Sequence, residues 1–248
     1  MFDEKYIRQI KIDIPNEKKS VYPFLLDAVK NFPELSLRSA VSFFIGENGS
    51  GKSTLLEAIA VAYGFNAEGG SKHFNFATNR THSILSEHIR LTKGIRKPQN
   101  GFFLRAESFY NVASHIDALD EDGVAPKIID SYGGVSLHKQ SHGESFMALV
   151  QNRFSGNGLY ILDEPEAALS PTRQLALLAS INDLVKKGSQ FMIATHSPIL
   201  MAYPDAVIYN VEDSCQIVKL EDTEHFMVTR EFLNNREKML AILLNSDD

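Results

Sequence analysis

The sequence predicts an α/β fold with a mixed, mainly parallel sheet flanked by helices. Three observations predict it. Apolar runs of strand length alternate with helical periodicity through the middle of the chain, the pattern of parallel strands joined by crossover helices. The run Gly46-Glu47-Asn48-Gly49-Ser50-Gly51-Lys52-Ser53 falls between one such strand and one such helix, the setting in which a glycine loop cradles phosphate. The chain has 248 residues, 44% of them hydrophobic, enough for the core of one large domain.

The elements follow in order. Residues 5–14 alternate apolar and polar from Ile10 onward, which predicts an edge strand of an antiparallel layer. Residues 15–19 read as a turn, and 24–29 as a short helix or loop. Val41-Ser42-Phe43-Phe44-Ile45 is a buried strand, and residues 54–62 a helix. Residues 66–100 are polar and weakly periodic, and predict surface loops and short elements. Residues 101–106 are another buried strand, and 109–138 an irregular helical segment. Residues 145–153 form a helix stopped by Ser155-Gly156-Asn157-Gly158. Residues 158–162 are a strand. Residues 171–187 are a helix with Pro171 in its first turn, Leu175, Leu178 and Ile181 on one face, and Gly188 as its stop. A strand at 190–195, a short helix opened by Pro198 and strands at 206–210 and 216–220 follow. The tail from about 225 to 244 is helical, with Phe232, Met239 and Leu243 as its packing face. The expected organisation is a single domain over 1–248. Its core lobe covers about 1–108 and 155–215, a helical subdomain about 109–154, and a C-terminal strand and helix about 216–248.

Composition excludes several classes. The net charge is −6, from 25 basic and 31 acidic residues, so no overall electrostatic footprint supports nucleic acid as a partner. One cysteine, Cys215, allows neither a disulfide framework nor a cysteine zinc site. Residues 1–5 lack an apolar leader core. No stretch approaches the roughly 18 consecutive apolar residues of a membrane helix. Together these predict a soluble, cytoplasmic protein with no membrane span.

The chemistry concentrates at strand ends. In the loop, the glycines turn backbone N–H groups inward as an anion nest, and the following helix adds its positive dipole end. Gly46, Glu47, Asn48, Gly49, Ser50, Gly51, Lys52, Ser53 and Thr54 are the expected nucleotide contacts. Lys52 reaches the β- and γ-phosphates, and the Ser53 hydroxyl ligates Mg²⁺. Leu159-Tyr160-Ile161-Leu162-Asp163-Glu164 ends a strand in two carboxylates, at the edge where open α/β sheets bind ligands. Asp163 is the second Mg²⁺ ligand, and Glu164 the general base for an attacking water. His196, in Thr195-His196-Ser197 at another strand end, is placed to donate to the γ-phosphate. Lys52, Glu164 and His196 are thus the expected catalytic residues, and ATP and Mg²⁺ the expected cofactors.

Gln140-Ser141-His142-Gly143-Glu144 precedes the helix that leads into the Asp163 strand. At this point the chain resembles the ABC-type ATPases, including the SMC, RecF and related DNA-repair ATPases. Their signature is close to L-S-G-G-Q/E. Ser141, Gly143 and Glu144 match its second, fourth and fifth positions, whereas Gln140 replaces Leu and His142 replaces the first Gly. The resemblance covers about residues 5–210 and looks closest to stand-alone P-loop NTPases of the AAA/ABC-like group. It implies an ABC-ATPase-like fold with a small helical subdomain. It also implies that Ser141, His142, Gly143 and Glu144 face the γ-phosphate held by a second protomer, in a homodimer closed around ATP. Residues 165–171 resemble the D-loop that crosses that interface. The Q-loop position falls near residues 105–108, where no glutamine stands and Glu107 is the substitute. Tyr22 and Phe24 are the candidates for adenine stacking. The function implied is Mg-dependent ATP hydrolysis driving a switch or motor for a protein effector, in DNA repair or defence. The nucleotide-binding subunit of a membrane transporter and a P-loop kinase are the alternatives.

Overall fold

The computed structural model describes residues 5–67, 69–71, 84–105 and 140–244. A seven-stranded sheet forms the centre. In chain order its strands are β3 (Val41–Ile45), β4 (Gly70–Ser71), β6 (Asn100–Arg105), β7 (Gly158–Asp163), β8 (Gln190–Ala194), β9 (Val207–Asn210) and β10 (Gln216–Val218), in the spatial order β10-β9-β3-β8-β7-β6-β4. The five inner strands are parallel, and β10 and β4 close the two edges antiparallel. Such inner strands must be apolar on both faces, and β3, β7 and β8 are buried at every residue.

The period of two divides those side chains between two cores. Phe44, Ile161, Met192 and Tyr209 face helix α2 (Lys52–Tyr63), the short α1 (Asp27–Lys30) and a second sheet. Phe43, Tyr160, Leu162, Phe191 and Ile193 face α3 (His142–Arg153), α4 (Pro171–Lys186) and α5 (Pro198–Met201). Helices therefore cover both faces of the sheet, as expected. The second sheet is three-stranded and antiparallel: β1 (Ile7–Ile12) lies between β2 (Leu35–Ser36) and β5 (Ile89–Lys93). The antiparallel layer is as expected, but β1 is its central strand rather than an edge. The strand responsible, β5, lies within the stretch expected to be loops; its Ile89 is buried and its remaining residues are polar or half-buried.

A buried glutamine joins the two sheets. Gln190 Oε1 accepts from the backbone N–H groups of Tyr6 and Ile7, at 2.8 and 3.0 Å, and its Nε2 donates to Ile7 O at 2.9 Å. The β1–β5 register shifts just beyond, between Ile7 and Gln9.

Two helical expectations need correction. The buried face of α4 is Gln174, Leu177, Ile181 and Leu184, whereas Leu175 is 58% exposed. The tail folds into α6 (Glu224–Asn234) and α7 (Arg236–Leu244), neither with a buried residue, and Leu243 is 62% exposed. The helix α3 packs Phe146, Leu149 and Val150 into the core beneath β7. The irregular segment expected at 109–138 and Glu107 lie outside the described residues. No helix among the described residues is long and apolar enough to cross a membrane.

Candidate nucleotide site

The parallel register brings four strand ends together. Arg105 is opposite Asp163, Asp163 opposite Ala194, and Ala194 opposite Phe44, one residue before the end of β3. The loop leaving β3 is the glycine run. Gly46, Gly49 and Gly51 have φ of 159°, 86° and 98°. Gly51 is the N-cap of α2, in the left-handed region that side-chain-bearing residues disfavour. The loop thereby delivers Lys52 and Ser53 to the first turn of a buried twelve-residue helix.

Lys52 is 3% exposed, and its Nζ donates to Gly46 O and Glu47 O, both at 2.8 Å. Burial pushes the lysine pKa down, opposed by the carboxylates of Glu164, Glu212, Asp163 and Glu166. Ser53 Oγ donates to Asp163 Oδ1 at 3.0 Å. Asp163 is buried, and its other oxygen lies 3.5 Å from Arg105 Nε, while Arg105 Nη1 bonds Glu57 of α2 at 2.7 Å. Asn48 and Gly49 are exposed at the loop tip, Ser50 is buried, and Thr54 is half-buried on α2.

The residue after Asp163 turns sharply. Glu164 has φ +50° and sends its N–H to Ala194 O at 3.0 Å, which holds it beside the end of β8. Its Oε1 lies 3.5 Å from His196 Nε2. Lys52, Ser53, Asp163, Glu164 and His196, far apart in sequence, thus form one continuous cluster. Ser197 caps α5 and hydrogen-bonds Gln174 of α4, so His196 leaves β8 on an anchored turn. Glu166 Oε1 accepts from the His196 N–H. Burial pushes the Glu166 pKa up, against that bond.

Ser141, His142, Gly143 and Glu144 gather elsewhere. Glu144 accepts from the Ser141 backbone N–H at 3.0 Å and from its hydroxyl at 2.7 Å, which closes the first turn of α3. Arg173 of α4 bonds Ser141 Oγ at 3.3 Å and Glu144 at 3.2 Å. These bonds pull the Glu144 pKa down, the Ser141 hydroxyl foremost. A side chain at Gly143 would place its Cβ 2.5 Å from Arg173 Nη1 and 2.8 Å from Ala168 O, so the close packing of α3 on the 165–171 loop requires glycine there. Within one chain Ser141 and Glu144 bond each other and Arg173, while the glycine loop and Ser53 bond Glu212, just beyond β9, and Asp163, the last residue of β7.

The adenine candidates separate. Phe24 is 1% exposed, its ring edge against His88, and belongs to the core. It offers no face to a base, and Tyr22 beside it is exposed. Four participants were not among the expected site residues, although Arg105 and Glu166 lie in the stretches that resemble the Q-loop and the D-loop. Arg105 is set by strand register, Glu212 accepts the Glu47 N–H at 3.0 Å, and Glu166 lies beneath His196. His225, from α6, has Nε2 2.7 Å from His196 Nδ1. A cavity of about 420 Å³ opens between loop and helix, lined by Glu47, Asn48, His196, Glu224, His225, Val228 and Thr229.

Strand, glycine loop, buried lysine and a serine–aspartate pair across a parallel sheet define a P-loop nucleoside triphosphatase. A family model described as an AAA domain matches residues 26–123. The cytochrome c biogenesis ATP-binding export protein CcmA of Aliivibrio fischeri is 30% identical over 164 residues, 63% of this chain and 78% of that protein. The ribose import ATP-binding protein RbsA of Halalkalibacterium halodurans is 26% identical over 64% of this chain. The chain belongs to the ABC-type P-loop ATPases. It spans only 34% of the length of that ribose import protein. Among solved structures, cbiO1 of Clostridium perfringens, part of the ABC transporter complex cbiONQ, is similar over 94% of this chain and 97% of its own, at 14% identity and TM-score 0.49. The SMC head domain from Thermotoga maritima is similar over 83% and 95%, at 15% identity and TM-score 0.43.

Proposed function

We propose that the chain binds Mg-ATP in the 46–54 loop and hydrolyses it between two protomers. The observation that carries this reading is the 3.0 Å bond between Ser53 Oγ and Asp163 Oδ1. It places two hard oxygen donors from different elements beside the phosphate nest, the donor type that magnesium takes. The residues present therefore fit the ion. Bound there, Mg²⁺ would neutralise phosphate charge and orient the terminal phosphate.

The chain's own groups account for the rest. Lys52 exchanges its two carbonyl acceptors for phosphate oxygens. Glu164, one residue beyond Asp163, is the base that takes a proton from the attacking water. His196 Nε2 faces the same space and donates to the γ-phosphate. Ser141 and the N-terminal N–H groups of α3 form a second anion site, and the family resemblance assigns it to the partner's nucleotide. The lobe boundaries, 1–108 with 155–215, 109–154 and 216–248, belong to the same proposal.

Glu164→Gln tests it. With saturating Mg-ATP this variant elutes as a dimer with hydrolysis reduced at least about 100-fold, since a general base contributes about 10²–10⁴. Lys52→Ala neither binds nucleotide nor dimerises. A monomeric Glu164→Gln protein that still binds ATP would end the sandwich model.

The relatives' printed names favour one partner class. Several are import or export ATP-binding proteins, so a membrane permease is the second reading beside a DNA-repair or defence effector. Two measurements separate them: a membrane-embedded protein captured by the ATP-locked Glu164→Gln protein supports the first, and salt-sensitive DNA stimulation of hydrolysis by the wild type the second.

A further inference from the structure

The helix α6 lies outside every motif of the site, yet it reaches into it. Its first turn carries His225, whose Nε2 lies 2.7 Å from His196 Nδ1, with the rings 4.7 Å apart and tilted by 57°. Only one ring nitrogen of each histidine takes part. His196 Nε2 is buried and makes no hydrogen bond among the described residues, and its near neighbour is Glu164 Oε1 at 3.5 Å.

The chemistry around that nitrogen decides the tautomer. The Glu164 carboxylate lies on the Nε2 side and only accepts hydrogen bonds. Nε2 is therefore the nitrogen that must carry hydrogen. In a neutral ring Nδ1 is then a bare acceptor, and His225 Nε2–H is the donor that fills it. Burial together with the Lys52 charge favours the neutral ring. The groups around His196 are Lys52, Glu164, Glu166 beneath its backbone N–H, and His225.

We propose that His225 is a positioning residue for His196: it occupies Nδ1, fixes the ring's tautomer and rotation, and so aims Nε2–H at the γ-phosphate site. This rests on the proposed nucleotide site for its consequence in hydrolysis, but the tautomer itself does not. Val228 and Thr229 of α6 line the same cavity as His196, so through His225 the position of α6 bears on the donor assigned to the phosphate.

The test is a mutant cycle with a spectroscopic readout. Imidazole nitrogen NMR on histidine-labelled protein, assigned with His196→Ala, should show His196 as the Nε2–H tautomer in the wild type and a tautomer mixture in His225→Leu. His225→Leu should lower kcat about tenfold with KM for ATP unchanged. His225→Gln, whose amide can donate to Nδ1, should restore most of it. In a His196→Ala background, His225→Leu should cost nothing further. An Nδ1–H tautomer in the wild type, or additive losses in the double variant, would overturn the proposal. A normal His225→Leu kcat with a changed tautomer would overturn only its link to hydrolysis. Full hydrolysis by His196→Ala would instead reject the γ-phosphate role of His196, leaving the tautomer result to stand, whereas failure of the wild type to bind ATP would reject the nucleotide-site reading. Unchanged thermal midpoints verify that the variants fold.

Discussion

Single residues in this chain show how burial redirects chemistry. Cys215 is 4% exposed and has φ +55°. Its burial pushes the thiol pKa from 9.0 to about 12. The unfolded thiol releases its proton above about 9 and the folded one does not, so stability is lost as pH rises from there towards 12. Urea unfolding should therefore show the wild type losing stability faster than Cys215→Ala between pH 9 and pH 11, by up to about 1.4 kcal/mol per pH unit. Parallel curves would refute it. The comparison is of slopes, because alanine at a positive φ carries its own strain. Residues of this kind were invisible in the sequence. Cys215 stood there only as a lone thiol, and His225 gave no sign of its bond to a histidine 29 positions away. Lys52, Asp163 and Glu164 were legible because a glycine loop and an acidic strand end are local patterns.

At the scale of elements, the parallel strands were readable, whereas of the antiparallel layer only β1 was, and as an edge strand rather than the centre. The strands β3, β7 and β8 are continuous apolar runs because both of their faces are covered. The strand β5 mixes one buried isoleucine with polar residues, and its pairing with β1 spans about eighty positions. Likewise the α4 stripe was misplaced by a residue because Gln174, a polar side chain, occupies the buried face and bonds Leu169 O and Ser197. The same use of glutamine joins the two sheets through Gln190. Gln190→Leu would leave the N–H groups of Tyr6 and Ile7 and the Ile7 carbonyl buried without partners. At roughly 1–3 kcal/mol for each of the three groups, the variant should lose about 3–9 kcal/mol. Its thermal midpoint should fall by roughly 10 °C or more, as followed by circular dichroism. A fall of under about 2 °C would mean that water replaces the side chain.

Taken as a whole, the molecule divides into a buried core and an appended helical pair. The glycine loop, the acidic strand end and the His196 turn belong to the core. The helices α6 and α7 bury no residue and meet the site through His225 and the walls of the 420 Å³ cavity. Ending the chain after Thr223 should therefore change the thermal midpoint by under about 3 °C, since removed exposed surface carries little stability, while hydrolysis falls about as far as in His225→Leu. A loss of folding would show instead that the tail supports the core. The tail was legible as helical from its periodicity. Its exposure was not, because periodicity reports an apolar stripe and does not say what covers it.

The lysine of the glycine loop has one further consequence. Its ammonium, at one end of the loop, bonds the carbonyls of Gly46 and Glu47 at the other. The cation thus acts as its own placeholder, folding the turn into shape around the position that phosphate will take. Nucleotide capture then becomes a substitution at an occupied donor rather than the filling of a vacant one.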